Sequence, residues 1–154
     1  MKKNKISKTW INKQRRDIYV RKSKLEGYRS RAIYKLKEID DKFKIIRNGI
    51  KIVDLGSAPG SWSQYLSEKS KNSKILSIDL KDIEKIHNVT HLIGDFLNEK
   101  NQTIISNFFE DKLDLIVSDM AVNTTGNKNL DSISTGELSI NACLLYTSPS
   151  PRDY

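Results

Sequence analysis

The 154 residues are enough for one domain with a buried core, and 37% hydrophobic against 30% charged residues put the chain on the polar side of the globular range. The formal charge of +8 is unevenly divided: residues 1–50 hold 17 Lys/Arg against 5 Asp/Glu (+12), and residues 51–154 hold 10 against 14 (−4). A cationic arm on a mildly acidic body points to a polyanionic partner, nucleic acid first, while the sequence offers no apolar run of membrane-spanning length, no signal-peptide pattern and no second cysteine to pair with Cys143, so a soluble cytoplasmic protein is expected.

Taken in chain order, residues 1–8 read as a disordered basic tail and residues 9–47 as a basic helical extension. Trp10, Ile11, Gln14, Ile18 and Leu25 recur at helical spacing, which predicts a helix over Thr9–Glu26 that Gly27 ends. Ser30 is a candidate N-cap for a second helix running to Phe43, with Ile33, Leu36 and Ile39 on its apolar side. A solvated basic surface that binds nothing is the plain alternative for this arm.

After the Asn48-Gly49 turn the period changes. Strands are expected at 51–55, 74–79, 89–93 and 113–117, and helices at 61–70 and 99–110. Residues 82–88 read as a short helix or loop, and another helix starts near Ser132. Strand–helix alternation of this kind predicts an α/β fold with a parallel, doubly wound sheet over residues 48–142.

Val53-Asp54-Leu55-Gly56-Ser57-Ala58-Pro59-Gly60-Ser61-Trp62 is the motif that carries chemistry. A buried strand ends in an acid, a glycine turn follows, and a helix opens near Pro59. Such a turn is expected to bring backbone N–H groups and a helix N-terminus to a ligand. An ordinary strand-to-helix turn is the plain alternative. The third glycine of a dinucleotide fingerprint is missing, which disfavours a nicotinamide-dependent oxidoreductase. Asp54, Asp79, Asp95 and Asp119 each stand at a strand end, where open α/β sheets bind their ligands. Four carboxylates suit a ligand with hydroxyls, an amine and positive charge. No metal-ligand set is expected.

The motifs together resemble those of FtsJ/RrmJ-type S-adenosylmethionine-dependent RNA ribose 2′-O-methyltransferases. The match runs from about Trp10 to Asn141, through Gly27-Tyr28-Arg29-Ser30-Arg31-Ala32, Lys35-Leu36, the glycine loop, Ser77-Ile78-Asp79-Leu80, Gly94-Asp95-Phe96 and Ser118-Asp119-Met120-Ala121. The resemblance implies a Rossmann-like methyltransferase fold. It also implies S-adenosylmethionine bound by Gly56, Gly60, Trp62, Asp79, Asp95 and Asp119, with Asp54 supporting the loop or the methionine ammonium. A Lys-Asp-Lys-Glu tetrad is implied in which Lys35 and Asp119 are the first two members and the second Lys is the base. Ribosomal RNA of the large subunit, methylated on a uridine ribose, is the implied substrate, and a monomer the implied state. A tRNA ribose methyltransferase and a non-catalytic RNA-binding module remain open. Arg15, Arg16, Arg21, Arg29, Arg31 and Lys35 are the candidate RNA contacts. Tyr19, Tyr28 and Tyr34 are equally candidates for base stacking or packing. Val122 stands where bacterial relatives have Pro.

The terminus breaks the pattern. Cys143-Leu144-Leu145-Tyr146-Thr147-Ser148-Pro149-Ser150-Pro151-Arg152-Asp153 resembles the translation of a transposon-based sequencing adaptor, so residues 143–154 are expected to be non-native. A C-terminally truncated methyltransferase domain is the consequence. No Lys lies beyond Lys128, and the tetrad's second Lys and Glu have no counterpart, so this chain is expected to be inactive.

Overall fold

The computed structural model describes residues 17–120 together with Ile11, Lys13, Asn127, Asn129 and Ile140. The tail 1–8, Arg15, Arg16, Val122, the helix expected from Ser132 and residues 143–154 lie outside the described residues.

Helix α1 spans Ile18–Leu25, with the Asp17 carboxylate accepting the Tyr19 N–H as N-cap. It ends as its sequence demands. Gly27 takes φ +77°, its N–H reaches Lys24 O and the Tyr28 N–H reaches Ser23 O, the paired bonds of a glycine-terminated helix. Helix α2 spans Ile33–Phe43 and buries Ile33, Leu36 and Asp40. Its start departs from expectation: the cap position is Ala32 rather than Ser30. Ser30 instead accepts the Ala32 N–H at 3.3 Å and pairs with Ser61 Oγ at 2.8 Å. A tertiary partner has taken a residue that a local pattern assigns to a cap. Buried Asp40 holds the exit from α2, accepting the Ile46 N–H at 2.9 Å and the Tyr65 hydroxyl at 3.3 Å.

Strands β1 (Lys51–Leu55), β2 (Lys74–Asp79), β3 (Val89–Ile93) and β4 (Leu115–Ser118) form one parallel sheet in the order β3-β2-β1-β4. Helices α3 (Ser61–Lys69) and α4 (Glu99–Phe109) are the crossovers. Alternate side chains of β1 and β2 feed opposite faces. Ile52 and Ile75 join Ile33, Leu36, Trp62, Tyr65 and Leu66 in one core. Val53, Leu55, Leu76 and Ile78 join Ile105, Phe109 and Phe96 in the other. Residues 82–88 contain no helix, and β4 begins two residues later than expected. Leu113 still enters the second core, while Asp114 accepts the Lys51 N–H at 2.8 Å and so fixes the strand's entry beside β1.

The turn after β1 needs glycine at Gly56, where φ is +69° and a Cβ would collide with the side chain of Met120. Gly56→Ala is expected to destabilise the fold by about 1–3 kcal/mol, read by chemical denaturation. An unchanged midpoint would mean that the loop re-forms without the positive φ.

Candidate active site

All four strands are parallel, so their carboxyl ends share one edge of the sheet. The chain passes from β1 to β2 and β3 on one side and returns to β4 on the other. The crevice between β1 and β4 is therefore the switch point at which open α/β sheets hold ligands. Asp54 lies within β1, Asp79 ends β2, Asp119 follows β4 by one residue and Asp95 follows β3 by two. The expected gathering of acids at one edge is present.

The loop itself differs from a phosphate cradle. The Gly56 and Ser57 N–H groups both donate to Ile78 O, at 2.8 and 3.2 Å. The Ala58 N–H donates to Asp79 Oδ2 at 3.0 Å, and the Gly60 N–H to Ser57 O at 2.6 Å. Pro59, after a cis bond, has none. The loop's N–H groups are thus used within the protein, and the expectation that they face a ligand is corrected. Pro59 also stands outside the helix: Gly60, at φ +103°, is the N-cap of α3. The ligand-facing chemistry is that of side chains.

Those side chains are anionic or hydroxylic. Asp54 is buried and accepts the Ser63 hydroxyl at 2.6 Å. Burial, with the Asp79 and Asp119 carboxylates adding to it, pushes Asp54 up to about 7 against the Ser63 hydrogen bond. Ser57 Oγ is buried and has no protein partner. Both residues line a small cavity with Ser30, Gly56, Trp62 and Asp119. An orphaned hydroxyl beside converging carboxylates suits a donor-rich, positively charged group. Asp79 is engaged at both oxygens, by the Ala58 and Lys81 N–H groups, and Asp95 caps its own turn through the Leu97 N–H at 2.9 Å. Each oxygen keeps a further lone pair for a hydroxyl. Among the described residues no cluster of His, Cys, Asp and Glu could hold a metal ion.

Lys35 and Asp119 meet across 84 residues of chain, Nζ to Oδ1 at 2.8 Å, at the mouth of this crevice. A larger groove runs outward from the pair, lined by Tyr19, Lys24, Arg31 and Tyr34 among others. Arg31 pairs with Asp17 and keeps most of its side chain exposed. Arg21 is exposed on α1. Arg29 is different: its guanidinium donates to three backbone carbonyls, Pro59 O at 3.0 Å, Glu84 O at 2.9 Å and Lys85 O at 3.4 Å. Trp62 lines the small cavity, but its indole N–H is spent on Ala32 O at 2.7 Å. Lys37 Nζ covers the Tyr28 ring at 4.5 Å and approaches Tyr34 at 5.6 Å, which leaves Tyr19 as the most open of the three tyrosines.

Sequence reasoning missed Ser57 and Ser63. Both stand in the loop motif or one residue beyond it. Their small polar side chains at otherwise buried positions were the available signal.

A model of the FtsJ-like methyltransferase family matches residues 28–148. A Pelagibacter ubique protein named ribosomal RNA large subunit methyltransferase E is 58% identical over 142 residues, covering 92% of this chain and 70% of the relative. A Rickettsia akari protein of the same name is 47% identical over 140 residues, covering 87% and 62%. A Plasmodium falciparum structure described as a ribosomal RNA methyltransferase superposes with a TM-score of 0.67 at 36% identity, covering 74% of this chain and 68% of that one.

Proposed function

Because the chain belongs to the FtsJ-like methyltransferase family, we propose that the whole protein methylates the 2′-hydroxyl of a uridine ribose in large-subunit ribosomal RNA, with S-adenosylmethionine as methyl donor. The observation that carries this reading is the Lys35–Asp119 pair at the switch-point crevice, 2.8 Å apart and beside the loop of Gly56 and Ser57.

The residues fit the donor. Its ammonium and sulfonium suit the Asp54–Asp119 field, a hydroxyl or amine suits the orphaned Ser57 Oγ, and the ribose hydroxyls suit Asp79. Bare Gly56 makes room for the Met120 side chain packed against the loop. When bound, S-adenosylmethionine supplies a methyl group activated by a sulfonium.

The chain's own residues prepare the other reactant. Lys35 holds Asp119 by an ion pair, so the carboxylate is fixed where a substrate hydroxyl enters. A fixed carboxylate and ammonium can orient that hydroxyl by accepting and donating hydrogen bonds. Alignment of this kind supplies much of the rate in a displacement reaction. In this reading the second Lys and the Glu of the whole protein's tetrad complete the proton transfer. Arg21, Arg31 and Lys35, with Arg15 and Arg16, hold the RNA backbone from residues 9–47, while residues 48–142 hold the donor. A cytoplasmic monomer is consistent with this substrate, and no helix among the described residues is long and apolar enough to cross a membrane.

Transfer of a labelled methyl group from S-adenosylmethionine to undermethylated large ribosomal subunits by the whole protein tests the proposal. Label in a uridine 2′-O-methyl of the large-subunit RNA is the expected product. Label in tRNA alone would move the assignment to a tRNA enzyme. RNA binding without any transfer would leave a binding module.

A further inference from the structure

We infer that Arg29 is a positioning residue of the methyl-donor site rather than a phosphate contact, an inference that rests on the reading of that site given above. Arg29 sits in the turn between α1 and α2, within the most basic part of the chain, where a solvent-facing arginine would be an RNA ligand by default. The residue is instead half-buried, and its guanidinium is bonded to main-chain carbonyls. Nη1 donates to Pro59 O and Glu84 O, and Nη2 to Lys85 O. Pro59 belongs to the glycine loop. Glu84 and Lys85 belong to the segment that leaves β2 after Asp79. One planar cation, on the rim of the larger groove, therefore ties the glycine loop at Pro59, which lines the small cavity, to the segment that leaves β2.

Two further observations support the assignment. Gly60 carries no Cβ, and one placed there would lie 2.8 Å from Arg29 Nη1 and 3.0 Å from Ile86 Cδ1. The glycine thus makes the seat for the guanidinium, in addition to taking φ +103°. The Arg29 backbone is fixed as well: its N–H donates to Gln64 Oε1 at 3.0 Å, and Gln64 Nε2 donates to Gly27 O at 3.2 Å. Gln64 is on α3, the helix that the glycine loop opens. The turn carrying Arg29 is therefore stitched to the donor site through backbone and side chain alike. A fork with several donors in one plane can span three carbonyls, whereas an ammonium is a point donor without that geometry.

The test compares Arg29→Ala, Arg29→Lys and Arg31→Ala in two assays. One is calorimetric titration with S-adenosylmethionine at a temperature where circular dichroism shows each variant folded. The other is the salt dependence of binding to a large-subunit RNA fragment. Arg29→Ala is expected to weaken donor binding about tenfold by loosening a preorganised site, with the slope of log K against log salt unchanged. Arg29→Lys should recover only part of that loss. Arg31→Ala should reduce the slope by about 1. Donor binding by a folded Arg29→Ala equal to the parent's, with a reduced salt slope, would overturn the inference in favour of a phosphate contact. Equal donor binding with an unchanged slope would reduce Arg29 to a structural strut and overturn it too. With all variants made in the whole protein, absence of donor binding by the parent would instead remove the methyltransferase reading beneath it.

Discussion

Lys35→Ala in the whole protein is expected to lower kcat for ribose methylation by about 10²-fold or more, with S-adenosylmethionine binding nearly unchanged. Lys35 touches Asp119 and the mouth of the groove, while the donor's side of the crevice is built from β1, the glycine loop and β2. Losing the ammonium frees the Asp119 carboxylate to rotate and removes one of the two groups that orient the attacking hydroxyl. Asp119→Asn should cost at least as much, because it removes a charge that faces both donor and hydroxyl. The double variant should be little worse than the poorer single one, since the two act as a unit. Additive losses would show that Lys35 and Asp119 serve separate steps.

Asp54→Asn is expected to have the second large effect, with opposite signs on stability and on donor binding. Asp54 is pushed up to about 7 in the fold from an ordinary value of 3.8, chiefly by burial. The fold therefore favours the protonated form. Its contribution to stability is complete below about pH 4, declines as pH rises, and is lost above about pH 7. That difference corresponds to roughly 4 kcal/mol. Asparagine cannot ionise, so Asp54→Asn should gain stability relative to the parent between pH 4 and 7 in denaturation curves. Donor binding runs the other way. A cationic ligand favours ionised Asp54, so the parent should bind S-adenosylmethionine more tightly as pH rises towards 7, releasing a proton on binding below it. Asp54→Asn should bind more weakly and lose that pH dependence. Parallel pH curves for parent and variant would show that Asp54 does not titrate in this range.

The strand-end acids were legible because their signal is local. A hydrophobic run ending in Asp reads the same in the sequence as in the sheet, and the parallel order then brings Asp54, Asp79, Asp95 and Asp119 to one edge. Gly27 was legible for the same reason, since a helix end is decided within a few residues. What could not be read were the uses of groups bonded across 30 or more residues. The carbonyl partners of Arg29 at Pro59, Glu84 and Lys85 cannot be read from its basic neighbourhood in the sequence. Trp62 lines the small cavity, but that its N–H is bonded to Ala32 could not be read from the motif. Ser30 looks like a cap until Ser61 claims its hydroxyl. The inward-turned N–H groups of the glycine loop follow from where β2 ends, because Ile78 O and Asp79 supply the acceptors. The glycine spacing alone cannot distinguish that loop from one that cradles phosphate.

In the proposed function this crevice holds a cationic methyl donor and no phosphate. Calorimetric titration of the chain with S-adenosylmethionine, and separately with a nicotinamide dinucleotide, tests it most directly. The account predicts saturable one-to-one binding of S-adenosylmethionine that Asp54→Asn weakens, and no binding of the dinucleotide. Folded protein that binds the dinucleotide and ignores S-adenosylmethionine would contradict it.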